Sequence, residues 1–300
     1  MFDRLIRYGI KNQEEKLERF LARHEKENPF PDGVALTADI AYADDTDPRH
    51  TMDIFRPEGA SGKLPVMFNI HGGGFLLGKK EVNRLFCADF CRRGFLVFAA
   101  EYPLAPDADI FTILRSLAAA MKKAGEIAGT YGGDSEKFFL SGDSAGAWLA
   151  VYLAAMQKSA ALAGAAGVDL SGTPRVYALG LQSGMFYTRK PDNIGMFVPP
   201  LIYGKGYKKR PFAPYTDPEH REIVGNLPPA FLVTGRGDFL RHYSRRYAKV
   251  LSAASVPSEF LDMENAGKLA HAFPAILPEF PASKTANDAM ASFFFRSIKG

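Results

Sequence analysis

The polar and apolar positions of this chain change their period several times along its length. Near the start, Phe2, Leu5, Ile6 and Ile10 recur at helical spacing, as do Leu17, Phe20 and Leu21, with the polar KNQEEK between them. That pattern predicts two short amphipathic helical stretches within residues 1–28. Apolar runs at Leu36–Tyr42 and Thr51–Phe55, joined by the turn-forming DDTDP, read as strands. Further on, Val66–Ile70, Phe95–Ala100, Phe138–Ser141, Val176–Gln182, Ala230–Thr234 and Ser258–Met263 read as short buried strands.

Between these runs the period returns to that of a helix. Ile110, Ile113, Leu114, Leu117, Ala118 and Met121 form one apolar stripe; Tyr243, Tyr247, Val250, Leu251 and Ala254 form another. A third, Ala289, Met290, Phe293 and Phe294, lies near the end. Buried strands alternating with amphipathic helices predict an α/β fold with about eight mostly parallel strands, covered on both faces. No internal repeat or low-complexity linker divides the chain, so residues 1–300 read as a single domain.

Residues 185–228 break the alternation, being rich in aromatic residues, Pro and Gly. So long an insertion in a compact α/β domain usually serves function. Phe186, Tyr187, Phe197, Tyr203, Tyr207 and Phe212 are candidates to line an apolar cover over a site, or equally to pad the edge of the core.

Composition narrows the class. A hydrophobic content of 47% with 23% charged residues is ordinary for a globular protein of 300 residues. The net charge of +4 is spread along the chain, and its densest basic run, KGYKKR from Lys205, reads as a solvated loop. A nucleic-acid partner is therefore not expected. AGAWLAVYLAAM from Ala145 is too short to span a bilayer and reads as a buried helix. Cys87 and Cys91, four apart, form neither a disulfide framework nor a metal knuckle. With a charged, amphipathic start in place of a signal-peptide core, they point to the cytoplasm.

Two glycine-rich stretches carry the chemistry. In NIHGGGFLLGKK, from Asn69, the spacing from Gly73 approaches a phosphate-binding G-x-x-x-x-G-K, but Lys80 stands where such a loop needs Ser or Thr for magnesium. Read from His71, the same loop presents bare glycine amides to a developing oxyanion. FFLSGDSAGAWLAVYLAA, from Phe138, places Gly142-Asp143-Ser144-Ala145-Gly146 between an apolar strand and an apolar helix. That is G-x-S-x-G in its strand–turn–helix context, with the serine hydroxyl exposed at a sharp turn.

A serine hydroxyl needs a base, and the base an orienting acid. Of six histidines, His271 follows the last strand and precedes the last helix, at the sheet end where Ser144 emerges. Asp238, in FLVTGRGDFL, sits just after the strand Ala230–Thr234 on that same edge, with Asp262 and Glu264 as alternatives. The chain order Ser144, Asp238, His271 is that of α/β-hydrolases. No metal or cofactor is needed for such a site.

HGGGF from His71 with GDSAG from Gly142 resembles the hormone-sensitive-lipase-like family of α/β-hydrolase carboxylesterases. EYPLAPD from Glu101 and LPPAFLVTGRGDFL from Leu227 resemble further stretches of that family, so that the likeness covers roughly residues 50–295. The resemblance implies a serine esterase for short- to medium-chain carboxylic esters, acting through an acyl-enzyme on a small-molecule substrate. It implies oxyanion donors at Gly73, Gly74 and Ala145, and a bracing role for His71. It also implies a cap built from residues 1–33 and 185–228 over an acyl pocket, for which Phe75, Phe186, Tyr187, Phe197 and Tyr203 are candidates. The chain departs from the family at Pro103, Ala147, Trp148 and His242. The same triad can serve an amidase or deacetylase, whereas a non-catalytic ligand-binding member of the fold would lack the histidine.

Overall fold

In a computed structural model, which describes residues 2–264 and 270–299, all eight expected strands form and join one sheet. They are β1 (Val34–Ala41), β2 (Thr51–Pro57), β3 (Leu64–Ile70), β4 (Leu96–Ala100), β5 (Gly133–Asp143), β6 (Val176–Gln182), β7 (Ala230–Gly235) and β8 (Ser258–Met263). Their spatial order is β1-β2-β4-β3-β5-β6-β7-β8. β2 runs antiparallel to both β1 and β4, and every other pairing is parallel. The strand made longest relative to its apolar run is β5, which begins at Gly133 because Leu64 and Pro65 of β3 pair with Gly133 and Asp134.

The helices are α1 (Phe2–Glu27), α2 (Arg84–Arg92), α3 (Ile110–Ile127), α4 (Ala145–Met156) and α5 (Ala160–Ala166), then α6 (Asn193–Ile202), α7 (Arg221–Val224), α8 (Arg241–Ala253), α9 (Phe273–Ile276) and α10 (Pro281–Lys299). The N-terminal region departs from expectation: α1 is one continuous helix of 26 residues, not two. KNQEEK interrupts the apolar stripe but contains only residues compatible with a helix, so polarity there turns the face outward without breaking the backbone. The side chains of Phe2, Leu5 and Ile6 lie outside the described residues.

Alternation along the strands builds two cores. Val66, Phe68 and Ile70 of β3 point to the face covered by α3, α4 and α8, while Met67 points to the face covered by α2 and α10. α4 is buried at all twelve positions, as an apolar helix between sheet and cover must be. The insertion after β6 is not structureless: it holds α6 and α7 with two short 3₁₀ turns between them. Cys87 and Cys91 are free and buried in α2. Among the described residues no helix is long and apolar enough to cross a membrane.

Candidate active site

Parallel strands deliver their C-terminal ends, and the loops that follow them, to one edge of the sheet. The glycine loop leaves β3 there, Ser144 follows β5, Asp238 follows β7 and His271 follows β8. Ser144 adopts φ 52° and ψ −115°, a left-handed conformation that a non-glycine residue holds only when its surroundings impose it. Two backbone bonds do so: the Ser144 amide donates to the Gln182 carbonyl (2.9 Å), and the Ser144 carbonyl accepts from the Met185 amide (2.9 Å). The flanking glycines let the turn close. A Cβ on Gly142 would stand 2.5 Å from the Gly146 backbone, and one on Gly146 would stand 2.0 Å from the Ile70 carbonyl oxygen. The Ser144 hydroxyl makes no hydrogen bond among the described residues, and the residue is 7% exposed.

His271 and Asp238 are brought together. The imidazole Nδ1 lies 2.7 Å from Asp238 Oδ1, which also accepts the Leu240 amide (2.8 Å), while Oδ2 accepts the Thr234 hydroxyl (2.7 Å). Burial pushes the Asp238 carboxyl up, but the His271 contact and these two donors outweigh it and hold it below the usual carboxylate range. With Nδ1 committed to Asp238, Nε2 is the imidazole atom left for chemistry. Asp262 and Glu264 are occupied elsewhere: Arg241 and Arg245 bridge them at 2.5–3.0 Å.

Asp143, beside the nucleophile, points away from it. Its Oδ1 accepts the Gly72 amide (3.0 Å) and the Asn83 side-chain amide (2.8 Å), and burial pushes its carboxyl up despite them. Gly72 has no room for a side chain, since a Cβ would meet Asp143 Oδ2 at 2.3 Å. The next residues turn sharply, Gly73 at φ 116° and Gly74 at φ 64°. Their amides donate to no group among the described residues, and Ala145, the first residue of α4, has no intrahelical acceptor for its own. The loop is braced from β4. The His71 ring stacks on Tyr102 at 4.3 Å and reaches Glu101 Oε1 at 3.3 Å, and Tyr102 donates its hydroxyl to the His71 carbonyl (2.6 Å). Glu101 also takes Arg49 (2.8 Å) and the amides of Tyr102 and Lys80 (3.1 Å each). The Lys80 ammonium is buried against Asp39 (2.7 Å), Glu81 (2.8 Å) and Asp53 (3.1 Å), so it is not offered to a phosphate.

Of the five candidate pocket residues, four are buried and one is exposed. Phe75 is fully buried and meets Trp148 edge-on at 5.5 Å, beneath the elbow; Trp148 in turn stacks on Tyr152 at 3.6 Å. Phe186 stacks on Tyr247 at 4.3 Å, and Tyr203 is bonded through its hydroxyl to Thr188 (2.9 Å), both within the core. Tyr187 donates to Glu219 (2.8 Å) and lines a crevice of about 420 Å³ with Arg189, Lys190, Thr216, Asp217 and Arg246. Phe197 on α6 is 54% exposed. One aromatic residue missed in the sequence is Phe239, which is 65% exposed yet has its ring 4.4 Å from that of His271. Its position directly after Asp238 was the only available signal. Asn83 gave none, because only the fold brings it to Asp143. Among the described residues no group of three or more His, Cys, Asp or Glu side chains is placed to hold a metal ion.

Comparison with known proteins places this geometry among related chains. A family model described as alpha/beta hydrolase fold matches residues 67–274. The chain is 26% identical over 240 residues to the esterase LipI of Mycobacterium tuberculosis, covering 75% of this chain and 71% of that one. It is 34% identical over 102 residues to a versiconal hemiacetal acetate esterase of Dothistroma septosporum, a match spanning 34% of this chain and only 31% of that relative. Among solved structures, esterase B from Lactobacillus Rhamnosis superposes with a TM-score of 0.92 at 23% identity, covering 100% of this chain and 97% of that one. The same esterase has been solved inhibited by a tributyrin phosphonate.

Proposed function

Because the chain belongs to the α/β-hydrolases, in their hormone-sensitive-lipase-like branch, we propose that it is a serine carboxylesterase working through Ser144, His271 and Asp238. The observation that carries the reading is the Asp238–His271 bond at the sheet edge where Ser144 stands on a strained elbow. Ser144 Oγ attacks the ester carbonyl carbon as His271 Nε2 takes its proton. The carbonyl π electrons move to oxygen, which the amides of Gly73, Gly74 and Ala145 receive; each such donor contributes about 3–4 kcal/mol in comparable sites. Collapse breaks the ester C–O bond, and the imidazolium protonates the departing alkoxide. Water then repeats the sequence on the acyl-enzyme, releasing the acid and restoring Ser144. Asp238 stays ionised throughout and holds the imidazole tautomer.

The preferred substrates are short- to medium-chain esters, and residues 1–33 with residues 185–228 cap the acyl site. Support for the cap comes from placement. The insertion leaves β6 at the edge that carries Ser144, and Glu18 of α1 pairs with Lys79 (2.7 Å), at the end of the glycine loop. Purified wild type and Ser144→Ala are to be compared on nitrophenyl esters from acetate to laurate. Hydrolysis by wild type alone, with an optimum in the shorter half of the series, is expected. Equal turnover by Ser144→Ala would remove Ser144 from the mechanism, and an optimum at laurate would reject the chain-length assignment.

A further inference from the structure

We propose that Ser183 is a positioning residue that sets His271 against Ser144; the proposal rests on the triad reading above. Ser183 follows β6 directly, is fully buried, and adopts φ 49°. A left-handed serine without solvent contact is unfavourable and persists only where its neighbours require it. Its amide donates to the Val233 carbonyl (2.9 Å), on the strand that leads to Asp238. Its hydroxyl accepts the amide N–H of Ala272 (3.0 Å), the residue next to His271. Ala272 is itself fully buried at φ 56° and caps α9, so its amide has no helical acceptor.

The neighbours of Ser183 complete the connection. Gln182 accepts the Ser144 amide and Met185 donates to the Ser144 carbonyl. Three residues within 182–185, namely Gln182, Ser183 and Met185, thereby bond to the nucleophile on both sides, to the strand before the acid, and to the residue after the base. On the far side α9 is held independently, through Ser283 to the Phe273 carbonyl (3.2 Å) and Asn287 to the Pro274 carbonyl (3.3 Å). The Asp238 bond fixes one ring nitrogen of His271 but leaves its backbone free to shift. Among the described residues, the Ser183 hydroxyl is the side-chain contact from the end of β6 that holds the backbone next to His271. A misplacement of about 1 Å in such a constellation can cost on the order of 100-fold in rate.

Two variants remove the hydroxyl with opposite effects on the backbone. Ser183→Gly relieves the left-handed strain, so folding is not put at risk by φ, while Ser183→Ala keeps the Cβ. Each is to be assayed in the full chain, with active sites counted by run-to-completion labelling with a fluorophosphonate. Both variants are expected to lose about 10- to 100-fold in kcat per labelled site with KM within about threefold. The loss should be greater for an ethyl ester than for the nitrophenyl ester of the same acid. An ethoxide needs the imidazolium to protonate it, whereas nitrophenolate leaves unaided. A hydroxyl that merely satisfies a buried amide would lower stability or the number of labelled sites and leave kcat per site unchanged on both esters; that result for Ser183→Gly overturns the proposal. His271→Ala separates the two levels. If it is inactive while Ser183→Gly matches wild type, only the role of Ser183 falls; if it keeps wild-type kcat, the base assignment falls and the proposal with it.

Discussion

Asp143 and Asp238 are both buried at the same sheet edge, and their surroundings push them in opposite directions. For Asp143 burial prevails and raises the carboxyl; for Asp238 the His271, Thr234 and Leu240 partners prevail and lower it. A depressed carboxyl contributes stability above its unfolded value of about 3.9, lost as pH falls through the folded value. A raised one imposes its cost at neutral pH, and that cost vanishes on acidification. The stability difference between wild type and Asp238→Asn, by urea unfolding, should therefore shrink from about pH 7 to about pH 3. Asp143→Asn should be most favourable relative to wild type near pH 7 and lose that advantage in acid; a parallel response of the two variants would contradict the opposed environments. Activity separates them too. Asp238→Asn presents the wrong partner to Nδ1 and should lose on the order of 10⁴-fold in kcat, as tautomer-disrupting changes do in related triads, whereas Asp143→Asn should keep a measurable fraction. Phe239→Ala, which removes only the ring beside His271, should cost about 2- to 10-fold in kcat/KM, in line with the 0.5–1.5 kcal/mol of an aromatic pair.

The loop after β3 and the elbow after β5 form one packed unit, and the glycines within it differ in what they do. A Cβ on Gly73 would lie 1.7 Å from the Leu77 carbonyl oxygen, and one on Gly146 2.0 Å from that of Ile70. A Cβ on Gly74 would meet nothing within 4 Å, leaving only the strain of φ 64°. Gly74→Ala should therefore fold with a loss of about 1–3 kcal/mol. Gly73→Ala and Gly146→Ala should lose more, because backbone itself must move. Thermal unfolding of the three variants would test the order, and equal losses would contradict it. The difference also marks how far the sequence could be read. The strands, the sharp turn at Ser144 and the placement of Ser144, Asp238 and His271 at one sheet edge were legible because each depends on a short window or on chain order. The continuity of α1 was hidden because a polar hexapeptide interrupts an apolar stripe without interrupting a helix. Asn83, Glu101 and Ser183 acquire their roles from partners 60, 30 and 89 residues away, which no local pattern records. The aromatic insertion could be recognised as unusual, but whether Phe186 and Tyr187 face a pocket or the core depends on α8, which supplies Tyr247 and Tyr243 from beyond it.

At the scale of the whole molecule, the two segments proposed as the cap are attached by different forces. The insertion is fastened to α8 through largely buried contacts: Phe186 stacks on Tyr247, Tyr187 meets Tyr243 at 5.1 Å, and Tyr243 donates to Asp192, which caps α6. Arg246 adds an ion pair to Glu219, which also accepts from Tyr187. α1 has little comparable packing in its described part, where only Leu21 and His24 are buried. In its described part it is tied through charges that solvent reaches: Arg7 with Asp107, whose side chains are 49% and 76% exposed, and Glu18 with Lys79. Exposed pairs contribute about 0–1 kcal/mol and weaken as salt shortens the Debye length from about 10 Å at 0.1 M to about 3 Å at 1 M. Aromatic packing does not weaken in that way. Raising sodium chloride to about 1 M should therefore speed proteolytic nicking in α1, while cleavage within 185–228 stays slow. Timed digestion with mapping of fragments by mass spectrometry would show which segment opens first. Arg246→Ala, which removes one charged tie but none of the stacked rings, should leave that order unchanged. Nicking first inside 185–228, or insensitivity of α1 to salt, would mean that the segments are not held as their contacts imply.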